Sequence, residues 1–323
     1  MRYTRLGERG PTVSAIGFGA WAIGGTNWGP SDDEVSRAAL RAALAAGVTF
    51  FDTADVYGFG HSERLIAELR AEHKRGDMVI ATKAGNDFSG AGPADDKGYG
   101  PIRQTYTREY LVSAAEKSLQ RLGVDCLDIL QLHSPDLDKL ERDEPWAALE
   151  QLKREGKIRH AGWSVQSFRE TEQAFLLDRH AGLLDVIQVR YNLLERDAEA
   201  VLLPKARQRG IGVIVRIPIL FGLLTGKFNR ASTFGADDHR QMNLSPEKLA
   251  GYLERVERLR PVFEAEAGRS MTQVALRFCL SHPACHTAIP GGRTPAQAAA
   301  NAAAADLGPL PPETISLIQQ LDG

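Results

Sequence analysis

The chain has 323 residues, of which 43% are hydrophobic and 25% charged, and a formal net charge of -2. That length suits one large domain or two smaller ones with a substantial core, and the composition is that of a soluble globular protein. The near-balanced charge excludes a global field that would draw in nucleic acid, an anionic membrane or a polyanionic partner, no apolar run nears the roughly 20 residues of a membrane span, and residues 1–7 carry no apolar leader core. The three cysteines are an odd number without framework spacing, which points to a reducing cytoplasm.

From the N-terminus, residues 2–5 and 12–14 read as a small hairpin turning through Gly7, Gly10 and Pro11, placed to cap a floor. Short β-branched runs then alternate with longer amphipathic stretches. The pairs are strand 14–17 with helix 32–46, 49–52 with 62–72, 79–83 with 108–122, 127–132 with 144–155, 158–162 with 168–178, and 186–190 with 198–208. Strand 213–217 is followed by a long polar loop, 222–244, and by helices 246–267 and 271–281. Strand 287–290 is followed by helix 295–305, and an extra helix, 312–321, closes the chain.

No composition shift divides the chain, so it reads as one domain over 1–323. A doubly wound sheet often carries Gly-x-Gly-x-x-Gly after its first strand. Here Gly17-Phe18-Gly19 runs into Ala20, Trp21 and Ala22, and Gly58 and Gly60 lack a third glycine in register. Eight βα units predict a (β/α)8 TIM barrel with an N-terminal β-hairpin and an extra C-terminal helix.

In such a barrel the functional rim lies at the C-terminal ends of the strands. Asp52 ends the second strand and Tyr57 follows it, Lys83 ends the third and His133 the fourth. A single carboxylate, lysine or histidine at a strand end is commonly a structural salt-bridging or capping group. Four such groups on three adjacent strands point to chemistry, with Asp52 and Lys83 able to pair.

The run Phe51-Asp52-Thr53-Ala54-Asp55-Val56-Tyr57-Gly58, with Thr82-Lys83 and Leu132-His133-Ser134-Pro135, resembles the tetrad motifs of the aldo-keto reductase family. The likeness covers essentially the whole chain, from Leu6-Gly7, Val13-Ser14 and Gly17-Phe18-Gly19 to Ile289-Pro290-Gly291. It implies NADP(H)-dependent reduction of aldehyde or ketone carbonyls, with hydride supplied by the cofactor and no metal. Tyr57 would donate the proton. Lys83 would lower the phenol's pKa, two units being roughly 2.7 kcal/mol. Asp52 would hold Lys83 charged, and His133 would orient the carbonyl.

The resemblance also implies cofactor contacts. Ser164 and Gln188 match carboxamide ligands, and Tyr191 matches the aromatic that stacks on nicotinamide. Val165 stands where the family has asparagine, so one hydrogen bond is lost or moves to Gln166. Pro218, Gly222, Leu223, Thr225, Gly226 and Lys227 match a pyrophosphate-covering loop. Arg216 is a less usual residue at its strand end, where it would reach the pyrophosphate or cap the strand. Gly291, Arg293, Gln297 and Asn301 match the adenosine end, Arg293 being suited to a 2′-phosphate. Gly291-Gly292 replaces the Lys-Ser of other branches, which leaves NAD(H) open beside NADP(H). Trp21, Trp28 and Asn86 would line the substrate pocket, its specificity set by loops 84–104 and 222–245.

A relative of another class would be a non-catalytic NADP(H)-binding barrel acting as a regulatory or redox-sensing subunit. A metal-dependent hydrolase barrel should carry His-x-His after the first strand, where Gly19-Ala20-Trp21 stands. Ser134 lacks a Gly-x-Ser-x-Gly elbow. Cys279, His282, Cys285 and His286 offer four soft ligands, but a helix, Pro283 and the last strand separate them. The expected partner is a small carbonyl compound, with oligomeric state left open.

Overall fold

Short, largely apolar runs buried on both faces make the barrel strands of this protein. The computed structural model describes residues 1–25, 27–73, 76, 78–90 and 102–322. Strands β1 (Tyr3–Arg5) and β2 (Thr12–Ser14) pair antiparallel as the predicted hairpin. It plugs the barrel floor: Leu6 and Val13 are buried among inward-facing strand residues, and Gly7 bridges Ile211.

The barrel strands are β3 (Phe18–Gly19), β4 (Phe50–Asp52), β5 (Val79–Ala84), β8 (Leu127–His133), β9 (Ile158–Ser164), β10 (Leu184–Arg190), β11 (Gly212–Arg216) and β12 (Thr287–Ala288). β6 (Asn86–Asp87) and β7 (Arg103–Gln104) form a small antiparallel ribbon above the rim. The eight barrel strands run parallel in the order β3-β4-β5-β8-β9-β10-β11-β12. Parallel bridges Ile16 to Ala288 and Gly19 to Gly291 join the first strand to the last, so the sheet curls back on itself. Helices cover its outside and share a core with it, matching the (β/α)8 expectation.

Several predicted bounds change. The first barrel strand is Phe18–Gly19 rather than 14–17, because Ser14 still belongs to the hairpin and the chain bends at Ala15. The predicted helix 168–178 is two short helices, Glu170–Gln173 and Leu176–Arg179. Helix 246–267 breaks at Leu259, just before the ring of Pro261, into Pro246–Arg258 and Arg260–Ala265. The extra C-terminal helix is present as Pro312–Asp322. Within the predicted specificity loop 84–104, positions 91–101 lie outside the described residues. No helix among the described residues is long and apolar enough to cross a membrane.

Candidate active site

Side chains of a strand alternate between its two faces. In this barrel Phe50, Ala81, Ile129, Val186, Ile214 and Ile289 point inward and form one apolar cluster with Leu6 and Val13. Two residues further along each strand, on the same face, stand Asp52, Lys83, Gln131, Gln188, Arg216 and Gly291. The apolar tier is the dry floor on which a polar tier sits. Gly162 makes room for it, since a Cβ there would meet Gln131 Cγ and Val186 Cγ2 at 2.8 Å.

Lys83 and Asp52 are 1% and 3% exposed and form an ion pair, Nζ to Oδ2, at 2.7 Å. Lys83 also donates to the Thr53 carbonyl at 2.8 Å and to the Tyr57 hydroxyl at 3.4 Å. Asp52 Oδ1 accepts from Gln188 Nε2 at 2.6 Å and from Gln131 Nε2 at 3.4 Å. Burial favours loss of the Lys83 charge, but Asp52 and Tyr57 oppose it and hold the lysine above its ordinary value. Burial pushes the Tyr57 phenol up, and the Lys83 ammonium pulls against that without winning. The expected net lowering of Tyr57 is therefore corrected: in this cleft desolvation is the larger effect. The phenol keeps its proton at neutral pH, with a cation waiting beside its oxygen.

The His133 ring stands edge-on to the Tyr57 ring, centroids 5.8 Å apart. Burial, with Lys83 and Arg216 adding their charges, holds His133 well below 6.5 and neutral. Its Nδ1 lies 3.0 Å from Asn86 Nδ2. An amide nitrogen only donates, so Nδ1 accepts and Nε2 carries the ring proton. Asn86 is held in turn by its backbone carbonyl, which accepts from Tyr110 at 2.8 Å, while Tyr106 donates to the His133 carbonyl at 2.6 Å.

A cleft of about 1010 Å³ runs from Tyr57 and His133 to Gln297 and Asn301. Trp21 and Trp28 line it, Trp21 stacking on Tyr57 at 6.1 Å. His239 packs against both tryptophans, at 4.5 and 4.4 Å, and against Phe221 at 4.8 Å, tying the first loop to the long one. Of the expected cofactor residues, Ser164, Gln188, Arg216, Pro218, Gly222, Thr225, Lys227, Gly291, Arg293, Gln297 and Asn301 line this cleft. Because the Gln188 amide nitrogen is engaged by Asp52, its Oε1 is left for the cleft. Arg216 donates from Nη2 to the Val165 carbonyl and to Ser167 Oγ, both at 2.9 Å, and its Nε is buried without a partner. Arg293 donates to the carbonyls of Trp28, at 2.9 Å, and Pro30, while Asn301 donates to the Gly291 carbonyl at 3.1 Å.

Five placements are corrected. Tyr191 does not line the cleft: it is 1% exposed, stacks on Phe278 and donates to Glu199. It follows Arg190, which faces the cleft, and alternation turns it into the outer core. Leu223 is a core residue at 2% exposure. Gly226 turns the chain at φ +77, where a Cβ would meet Met271 Sδ at 2.7 Å. Asn86 supports His133 rather than lining the cleft. Gln166 is held by Asp136 at 2.7 Å, so it does not replace the missing asparagine, and Val165 is fully buried.

Sequence reasoning missed Arg190, Phe221, Arg240, Asn243, Ser270 and Thr272 on the cleft wall. Arg190 was within reach, two residues past Gln188 on one strand face. The loop residues were not, because non-glycine positive φ at Ile217, Leu220 and Phe221 shapes that wall. Such outliers in β-branched and bulky residues are rare and concentrate at functional sites. Among the described residues, no group of three or more His, Cys, Asp or Glu is placed to hold a metal. Cys279 faces the Tyr191 carbonyl, and His286 Nδ1 accepts from the Val213 amide.

The model of the aldo/keto reductase family matches residues 15–323. The chain is 34% identical to the aldo-keto reductase YhdN of Bacillus subtilis over 92% of its own length and 86% of the relative's. It is 31% identical to a probable voltage-gated potassium channel subunit beta of Arabidopsis thaliana, over 99% of this chain and 96% of that one. Among solved structures, the glycerol dehydrogenase AKR11B4 from Gluconobacter oxydans superposes with a TM-score of 0.82 at 31% identity, covering 99% of this chain and 94% of that one.

Proposed function

The chain belongs to the aldo/keto reductase family, whose members bind nicotinamide cofactors and act on small carbonyl compounds, and on that premise we propose an NADP(H)-dependent carbonyl reductase with Tyr57 as proton donor. The observation that carries the reading is the buried chain Asp52–Lys83–Tyr57 opening beside a neutral His133.

The residues fit the cofactor. Gln188 Oε1 and Ser164 Oγ are hydrogen-bonding groups of the kind a carboxamide requires. Gly222 at φ +93 keeps backbone open beside Lys227, whose Cε would lie 3.5 Å from a Cβ there. Arg240 and Arg293 both act electrostatically on Lys227 at the far end, where Asp238 is paired with Arg240. This excess of positive charge suits phosphate groups and favours NADP(H) over NAD(H). When bound, the reduced cofactor supplies hydride to the carbonyl carbon.

Everything else falls to side chains. His133 Nε2–H donates to the carbonyl oxygen and strengthens that bond as negative charge develops. The Tyr57 O–H bond breaks as its proton passes to the same oxygen, leaving a phenolate. Lys83 steadies that phenolate, and Asp52 keeps Lys83 in place. Trp21 and Trp28 exclude water from the reacting face.

The test is oxidation of reduced cofactor, followed by its absorbance, with a panel of aldehydes, ketones and sugars and with NADPH and NADH in parallel. Turnover with NADPH preferred supports the reading. Tight cofactor binding without turnover across the panel refutes catalysis and favours a regulatory, cofactor-sensing barrel, to which the likeness to the probable channel subunit gives separate support.

A further inference from the structure

Two arginines face the cleft at one register position, Arg190 on β10 and Arg216 on β11. Their charges are not equivalent. Arg190 is neutralised by Glu195, which accepts from its Nε at 2.6 Å and from its Nη2 in a second bond. Tyr252 donates to the same carboxylate at 2.6 Å. Arg216 meets only neutral acceptors, the Val165 carbonyl and Ser167 Oγ, and among the described residues it makes no ion pair. Burial and the neighbouring Arg190 lower its pKa to about 10, so it remains a cation at neutral pH.

Arg216 belongs to the catalytic end of the cleft. Its charge reaches Tyr57 and His133, whereas Lys227 is coupled to Arg240 and Arg293 at the other end. Ser164 and Gln188 are register partners across β9 and β10, and Arg216 lies on the next strand, two residues beyond Ile214, the partner of Gln188. One wall therefore carries both the amide-binding pair and a guanidinium that, among the described residues, has no ion-pair partner.

We infer that Arg216 makes this a redox-selective nicotinamide site, which holds the reduced cofactor more tightly than the oxidised one. The inference rests on the nicotinamide reading above. A reduced nicotinamide ring is neutral, and the ring left after hydride departs carries a positive charge. A fixed cation beside it, hydrogen-bonded to no carboxylate and offset only in part by the charges of Glu170 and Glu195, disfavours the charged ring and leaves the neutral one almost unaffected. The adenosine and phosphate ends are the same in both forms, so their contacts cancel from the comparison. Carbonyl reduction would thus end with a cofactor that leaves readily.

The test is calorimetric titration of the wild-type protein, Arg216→Gln and Arg216→Lys with NADP+ and NADPH separately. The wild type is expected to bind NADPH about tenfold or more tightly than NADP+. Arg216→Gln should bring the two dissociation constants together, mainly by tightening NADP+, and its retained NADPH binding shows that it is folded. Arg216→Lys should keep most of the preference. Equal affinities in the wild type, or a Gln variant that shifts both constants by one factor, overturn the inference and leave the nicotinamide reading standing. Failure of the wild type to bind either form overturns both.

Discussion

Removing Lys83 alone should be far worse than removing it together with Asp52. In Lys83→Met the Asp52 carboxylate stays at 3% exposure with only Gln188, at 2.6 Å, and Gln131, at 3.4 Å, to donate to it. Breaking a buried pair from one side costs about 3–5 kcal/mol, while replacing both charges with uncharged groups is often near neutral. The double variant Asp52→Asn/Lys83→Met should therefore recover most of the loss. The expected coupling is about 2–4 kcal/mol, from urea denaturation of the wild type, both single variants and the double at pH 7. The same set separates folding from chemistry. The double variant should fold and bind NADPH yet reduce carbonyls poorly, because the Tyr57 phenolate has lost its neighbouring cation. Additivity of the single losses to within about 0.5 kcal/mol would refute the buried pair. A double variant with near wild-type turnover would refute the part given to Lys83 in proton transfer.

Tyr57→Phe should bind NADPH nearly as the wild type does and lose roughly 10²–10⁴-fold in carbonyl reduction; a variant that keeps most of its rate shows the proton comes from elsewhere. Arg293→Ala should weaken NADPH binding more than NADH binding, and equal losses would remove the 2′-phosphate assignment. Asn86→Leu should free His133 to adopt either tautomer and lower kcat about tenfold or more, with ¹⁵N spectra of the ring reporting the mixture; an unchanged Nε2–H signal would refute the lock. Burial holds His239 down to about 4 and His133 well below 6.5, so both are neutral when folded. The unfolded chain takes up those protons near the ordinary histidine value of about 6.5, so stability should fall as pH drops from about 6.5 towards 4. His239→Phe, which keeps the aromatic packing, should flatten the urea midpoint's dependence in that window. An unaltered slope would place the linkage in other groups.

The tetrad was legible because its logic is local. Asp52, Lys83 and His133 each interrupt or end an apolar run, and the period of two puts them on the same face as Phe50, Ala81 and Ile129 below them. The glycine-bearing turn at Gly222 and the cluster Gly291, Arg293, Gln297 and Asn301 were reached instead through the resemblance to the family, and all five line the cleft. Tyr191 was misplaced because it stands one residue past the strand end, where the alternation that governs Gln188 and Arg190 sends the side chain outward, under the helix Met271–Ser281.

From the residues alone came the eight βα units, the hairpin plug and the four polar groups on the rim, since hydrophobic period and residue chemistry are properties of short segments. Tertiary structure decided the balance of forces at the site. The rise in the Tyr57 pKa depends on how much protein surrounds the phenol, and no motif records that. His133 is neutral because of the burial and the Lys83 and Arg216 charges that folding gathers round it, and its tautomer follows from Asn86, 47 positions away in sequence. The different fates of Arg190 and Arg216 depend on where Glu195 folds, and so a charge that reads the same in the sequence is cancelled at one position and left to act at the other.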